Sequence, residues 1–309
     1  MLVDTTLINS CYKCMSSVQM QRYYVAMEPL QRCVVLAAGD YYDHTREHVP
    51  DRALTIAADG GWDHACKLGL HVDALIGDFD SVRLKLPTDA VITRLAAEKD
   101  DPDLLSALKV GWAKGSREFH IFGGLGGRVD HTISNIQLMV RLARRGGIGF
   151  LYGDGQIVTA IHDGSLDFPA SSGDDLRIVS VFSHTPVSND VNEVGLKYQL
   201  KHATMHGDAV QGLSNELLND TPAHIDVHEG TLIVTFPINA PLPQVSWFKR
   251  PIGDLGEVDA SISEALAVPL ESETTPTYST TAAAEAMTCL LYTSPSPRDL
   301  STSRMPSSA

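Results

Sequence analysis

Basic residues are scarce in this chain. Lys and Arg number 24 against 38 Asp and Glu, a formal charge of -14 over 309 residues. A nucleic-acid surface needs clustered Lys and Arg to displace counterions from phosphates, and no such cluster occurs. That excludes a nucleic-acid partner and points to small molecules. Cysteine is sparse too: the five present are odd in number and scattered, which makes no disulfide framework and suits a reducing compartment. Cys11 and Cys14 form a CxxC, but no second pair or His cluster completes a zinc site. No run of about eighteen apolar residues exists. The first thirty residues have neither a signal-peptide apolar core nor an Arg-rich amphipathic pattern, so a cytoplasmic protein with no membrane partner is expected.

What is there reads as two domains. With 43% hydrophobic and 20% charged residues, a chain this long can bury two cores. From Cys33 onward, short apolar runs each stop at Gly or Asp: CVVLAAG (33–39), ALTIAAD (53–59), DALIGD (73–78), AVITRL (90–95), EFHIFGG (118–124) and IGFLYGD (148–154). Helical stretches lie between several of them and close on Gly69, Gly115 and Gly146. Strands buried on both faces and alternating with helices imply an α/β domain, an open and mostly parallel sheet flanked by helices, over residues 31–165. Beyond it, LRIVSVFS, NEVGLKYQLKHATM, AHIDVHEG and TLIVTFP carry turn residues every eight to twelve positions and little helical periodicity. This predicts a smaller all-β sandwich domain over 166–250. Residues 1–30 read as a disordered leader. Residues 251–309, rich in Ser, Thr, Pro and Ala with eight acidic and two basic residues, read as a disordered tail. The last twenty residues of that tail fit a native end and a cloning read-through equally well.

Chemistry gathers where the predicted strands end. ALTIAAD leads into Asp59, Gly60 and Gly61, and ALIGD into Asp78, Phe79, Asp80 and Ser81. AVITRL is followed by Lys99, Asp100 and Asp103, and EFHIFGG by Gly126, Gly127, Arg128, Asp130 and His131. In open parallel sheets ligands sit beyond the carboxyl ends of the strands, and all four groups fall at that edge. Each has a bland reading: a tight turn for Asp59, a solvated pair for Asp78 and Asp80, a helix cap for Asp103, a structural hydrogen-bonding group for His131. Their convergence on one edge favours a metal-phosphate site. Carboxylates are the hard ligands Mg²⁺ prefers, glycines at a strand-to-helix turn let backbone N–H groups approach phosphate, and Arg128 can grip a phosphate bidentately. Asp78 and Asp80, two apart on an extended segment, have Cα atoms about 6.6 Å apart on one side of the chain. Such a pair costs little in water but calls for a counter-charge in a cleft.

ADGGW, LIGDFDSV, EKDDPDLLSAL and GGLGGRVDHTISNIQL, followed by GLKYQL and LSNE, resemble the thiamine pyrophosphokinase family over residues 33–238, in order and spacing. The resemblance implies an α/β catalytic domain joined to a β-sandwich, assembled as a homodimer, that moves the pyrophosphoryl group of ATP to thiamine and yields thiamine diphosphate and AMP. It implies Mg²⁺ held by Asp78, Asp80 and Asp100, with Asp130 a further catalytic candidate. Asp59, Gly60, Lys99, Asp103, Gly126, Gly127, Arg128, His131 and Asn135 are implied on the nucleotide. Tyr198, Ser214, Asn215 and Trp247 are implied around thiamine, in a pocket the family builds at its dimer interface. Pro102 replaces the threonine usual in the acidic motif, and the closing segment after Pro237 is blurred. Two alternatives stay open: another Mg²⁺-dependent ATP transferase acting on a small alcohol, and a nucleotide-binding sensor without catalysis.

Overall fold

A computed structural model of the chain describes residues 30–43, 45–173 and 177–262. The leader, with Cys11 and Cys14, and the tail beyond residue 262 lie outside the described residues. Five parallel strands and three helices open the chain: β1 (Arg32–Leu36), β2 (Leu54–Ala58), α1 (Gly61–Leu68), β3 (Ala74–Gly77), β4 (Val91–Arg94), α2 (Asp103–Ala113), β5 (Glu118–Phe122) and α3 (Val129–Ala143). A sixth strand, β6 (Ile148–Tyr152), adds in parallel beside β5. The helices end as the glycines require. Gly69 caps α1 at φ 64°, and Gly115 and Gly146 also take positive φ just beyond α2 and α3, a backbone that costs glycine little.

Within this half the strand order is β6-β5-β1-β2-β3-β4. Alternate side chains of β1 feed opposite faces: Val34 and Leu36 join one buried cluster, Cys33 and Val35 the other. The second cluster is covered by Leu104, Leu108 and Trp112 of α2 and by Leu138, Met139 and Leu142 of α3.

The rest of the described chain is β: β7 (Gln156–Phe168), β8 (Ile178–Ser183), β9 (Val187–Val194), β10 (Leu200–His206), β11 (Asn215–Glu216), β12 (Ala223–Pro237) and β13 (Gln244–Trp247). β7 pairs antiparallel with β6 at its start and with β12 along its whole length. The expected domain boundary at 165/166 therefore falls inside β7. β12 shifts register between Val227 and Thr231. Before the shift it carries β9, and after it β8, so one strand feeds both layers of the sandwich. Phe168 and Phe236 meet edge-on between these layers with ring centroids 5.2 Å apart.

The segment after Pro251, assigned from sequence to the tail, lies against the helical layer as far as Val258. Leu255 is 2% exposed, Val258 packs on the α2/α3 cluster, and Lys109 Nζ, Arg141 Nη2 and Arg145 Nε donate to the carbonyls of Glu257, Leu255 and Asp254.

Candidate active site

The site lies at the carboxyl ends of β5, β1, β2 and β3. There the order reverses, since β1 has β2 on one side and β5 on the other. Asp59 follows β2 with φ 49°, a left-handed backbone that turns the chain directly into α1. Gly61 has to be glycine, because a Cβ there would come within 1.9 Å of the Leu36 carbonyl oxygen. The Asp59 carboxylate reaches the next loop: its Oδ1 accepts from Phe79 N at 3.1 Å and its Oδ2 from Ser81 Oγ at 2.5 Å. Asp78 Oδ1 accepts from Asp80 N at 3.1 Å, closing a small turn.

Asp59, Asp78 and Asp80 thereby offer oxygens within 4.8 Å of one another. Like charges this close disfavour full ionisation, and the neighbouring Asp78 charge pushes the Asp80 carboxyl above its ordinary value. Three carboxylate oxygens at this spacing are the donor set a hard divalent cation takes, and a cation would remove the repulsion. The family resemblance implies Asp100 beside Asp78 and Asp80. The structure gathers Asp59 with that pair, and Asp100, exposed on the loop after β4, is outside the group of three.

The loop after β5 forms the other wall. Gly126 and Gly127 both take positive φ, at 93° and 62°. A Cβ on Gly126 would meet Tyr42 Oη at 2.0 Å, and one on Gly127 would meet Asp40 Oδ2 at 3.1 Å. Asp40 and Tyr42, absent from the sequence reading, are thus part of this wall, and the Gly-Asp pair ending CVVLAAGD was the signal for them. Arg128 grips Asp130 through Nε at 3.1 Å and Nη2 at 2.5 Å, which drops the Asp130 carboxyl to about 2. Both side chains are exposed at the start of α3, as is His131. Asn135 is buried and donates Nδ2 to Gly124 O at 2.8 Å, so it holds the glycine loop from behind. Lys99 sits 3.1 Å from Asp103 Oδ1, and burial pushes the Asp103 carboxyl up despite that partner.

The four residues placed around a second ligand do not all meet. Tyr198 and Asn215 line a cavity of about 370 Å³ walled by β9, β10 and the segment leading into β11. Ser214, at φ 59°, is adjacent in the chain but outside that lining, and its N–H is bonded to Ser180 Oγ at 3.0 Å. Trp247 lies on β13 against β7, with the Arg250 guanidinium 4.9 Å from its ring centroid, and is not part of the cavity wall. Glu193, which the sequence reading did not single out, is in that wall.

Two family models match this chain, described as thiamin pyrophosphokinase catalytic domain over residues 45–148 and thiamin pyrophosphokinase vitamin B1 binding domain over residues 167–232. Together they cover more than half of it. A thiamine pyrophosphokinase of Bacillus subtilis (strain 168) is 29% identical over 188 residues, 58% of this chain and 84% of the relative. Thiamin pyrophosphokinase 1 of Caenorhabditis elegans is 22% identical over 173 residues, 52% of this chain and 70% of the relative. The crystal structure of the Bacillus subtilis enzyme superposes with a TM-score of 0.60 at 22% identity, covering 67% of this chain and 99% of that one. Thiamin pyrophosphokinase from Candida albicans gives 0.55 at 14% identity, over 68% and 90% of the two chains.

Proposed function

This chain belongs to the thiamine pyrophosphokinase family, and from that membership we propose that it transfers the pyrophosphoryl group of ATP to the hydroxyl of thiamine, giving thiamine diphosphate and AMP. The observation that carries the proposal is the convergence of Asp59, Asp78 and Asp80 opposite a glycine loop at the reversal point of a parallel sheet.

The alcohol must attack the β-phosphorus of a polyanion, so phosphate charge has to be neutralised and the groups aligned first. Asp59, Asp78 and Asp80 are the residues that would hold Mg²⁺, with Asp100 on the adjoining loop. When bound, the ion supplies a positive field on the phosphate oxygens. Backbone N–H groups at the positive-φ glycines Gly126 and Gly127 are our assignment for phosphate. Arg128 binds phosphate once it lets go of Asp130, and Asp130 or Asp100 takes the proton of the attacking hydroxyl. Gly60, Lys99, Asp103, His131 and Asn135 complete the nucleotide wall or hold it in place. Thiamine is a cation, and an acidic cleft suits it.

The cavity at Tyr198 and Asn215 is our assignment for thiamine, with Ser214 and Trp247 more distant contributors. Its walls belong to β9 and β10, six and seven strand positions along the sheet from β2. At about 4.8 Å per step that is roughly 29–34 Å along the sheet, more than a thiamine spans. This separation supports a homodimer in which one copy's cavity serves the other's acidic cluster. Among the described residues no helix is long and apolar enough to cross a membrane, and with the cysteine usage we place the protein in the cytoplasm.

The test is direct. Purified protein incubated with ATP, Mg²⁺ and thiamine should release AMP and thiamine diphosphate in equal amounts. Release of ADP instead would refute pyrophosphoryl transfer, and ATP binding without turnover would favour a sensor.

A further inference from the structure

The cavity at the β9–β10 end of the sheet is lined by a residue with one polar atom that the fold leaves unanswered. Glu193 lies on β9 opposite Leu200 of β10 and Ile225 of β12, and it is 1% exposed. Its Oε2 accepts from Asn215 Nδ2 at 2.8 Å, while its Oε1, sealed from solvent, has no hydrogen-bond partner. Burial pushes this carboxyl up from its ordinary value, as expected for a charge taken from water with a single partner. Buried polar atoms are almost always paired, so an unpaired one on a residue that lines a cavity marks where a ligand atom can complete the pairing.

The neighbours narrow that atom's chemistry. Leu200, Ala203, Met205 and Leu213 make much of the wall apolar, and Glu193 is its one charged side chain. Asn215 has nothing left to offer a ligand. Its Nδ2 also donates to Tyr198 O at 2.7 Å, and its Oδ1 accepts from Tyr198 N and Glu216 N, each at 2.9 Å. An amide has two donors and two acceptor positions, and all four are occupied. The free position is therefore an acceptor, and it requires an N–H or O–H from the ligand.

Resting on the reading that thiamine is the acceptor substrate, we infer that Glu193 is the residue that reads its pyrimidine ring, with Oε1 accepting a hydrogen bond from the exocyclic amino group. The thiazolium ring carries charge but no N–H, so it cannot satisfy a buried acceptor. The hydroxyethyl arm on that ring must stay free to reach phosphate. The aminopyrimidine is the end left to enter an apolar pocket. Tyr198, exposed in the same wall, is the aromatic side chain available there to the bound cation. Asn215 is then a positioning residue that fixes the Glu193 carboxylate through Oε2.

Glu193→Gln reverses the polarity at this one atom. Asn215 Nδ2 needs an acceptor, so the glutamine oxygen takes that side and its NH₂ turns into the cavity. KM for thiamine should rise about ten- to a hundredfold, well beyond any change in kcat, with KM for ATP unmoved. The preference for thiamine over its 4-oxo analogue oxythiamine should collapse or invert, and calorimetric thiamine binding without ATP should weaken by the same factor. A folded variant that keeps the wild-type KM and the wild-type preference overturns the assignment and leaves Glu193 as a structural partner of Asn215. Should the variant not fold, the wild type still decides: equal kcat/KM for thiamine and oxythiamine overturns it. AMP formation with an unchanged preference sinks this inference alone, whereas absence of any AMP sinks the functional reading with it.

Discussion

Asp59 has to serve two demands with a single carboxylate, holding the β3 loop in place and facing an ion beside two other acids. Its left-handed φ lets it do both, because the turn brings Oδ1 and Oδ2 to the N–H of Phe79 and the hydroxyl of Ser81 without using an extended arm. Gly77 makes this possible: a Cβ there would lie 3.1 Å from Asp59 Cα. Two substitutions should separate the roles in this cluster. Asp78→Asn or Asp80→Asn should lower kcat by roughly 10²- to 10³-fold and shift the Mg²⁺ concentration for half-activity upward, while circular dichroism stays native. An unchanged Mg²⁺ titration would reduce the pair to a solvated turn. Arg128→Ala removes only an exposed ion pair from the folded state, and such pairs hold little stability. The melting temperature should stay where it was as KM for ATP rises roughly ten- to a hundredfold, a split that marks Arg128 as a ligand contact.

At the scale of an element, the segment 251–258 acts as a strap across α2 and α3. Leu255 is its anchor, and replacing it with Ala should cost about 2–5 kcal/mol in urea unfolding, by lost burial and the cavity left behind. Ending the chain before Pro251 should be worse, because it also strips acceptors from the buried Lys109 and from Arg141 and Arg145. A truncated chain with native stability would show that the contact is incidental. Between β7 and β12, His224 is held by Asp167 at 2.6 Å and Asp226 at 2.7 Å. Burial alone would lower its pKa, but the two carboxylates outweigh it and raise the value from 6.5 to about 9. A raised folded-state pKa stabilises fully below the unfolded value and loses that contribution as pH rises. The stability of the wild type relative to His224→Gln should therefore be flat below about pH 6.5 and fall through about pH 9, as read from melting curves between pH 6 and 10.

For the whole molecule, β7 joins the two halves, paired with β6 on one side and β12 on the other, and one buried cluster extends from Val34 and Phe122 to Val181 and Phe236. Domains joined by a continuous sheet and a common core have little means of unfolding separately. Trp112 in the helical layer and Trp247 in the β half, each retained alone by replacing the other tryptophans with Phe, should report a single coincident denaturant transition. Two separated midpoints would mean that the continuous sheet does not couple the halves.

Much of this architecture was legible along the chain because its determinants are local. The apolar runs, the Gly residues after each helix and the acids and glycines after each strand each act within a dozen residues, and periodicity and turn chemistry report them. Asp78, Asp80, Gly126, Gly127 and Arg128 could be placed at one edge from that alone. Asp40 and Tyr42 were missed because one Gly-Asp pair has no distinctive spacing. Their role depends on the β5 loop, more than 80 residues away, coming to rest against them. Asn135 and Asn215 gave no hint that their amides are spent inside the fold.

The sequence by itself determined the class of fold, the family and the edge of the sheet where the acids and glycines collect, since these follow from patterns repeated within short windows. Only the tertiary structure decided that Asp59 joins Asp78 and Asp80, that residues after Pro251 close over the helices, and that Glu193 ends buried in a cavity wall with one oxygen unpaired. Burial and pairing are properties of residues distant in the chain brought into contact, and no local pattern in the sequence carries them.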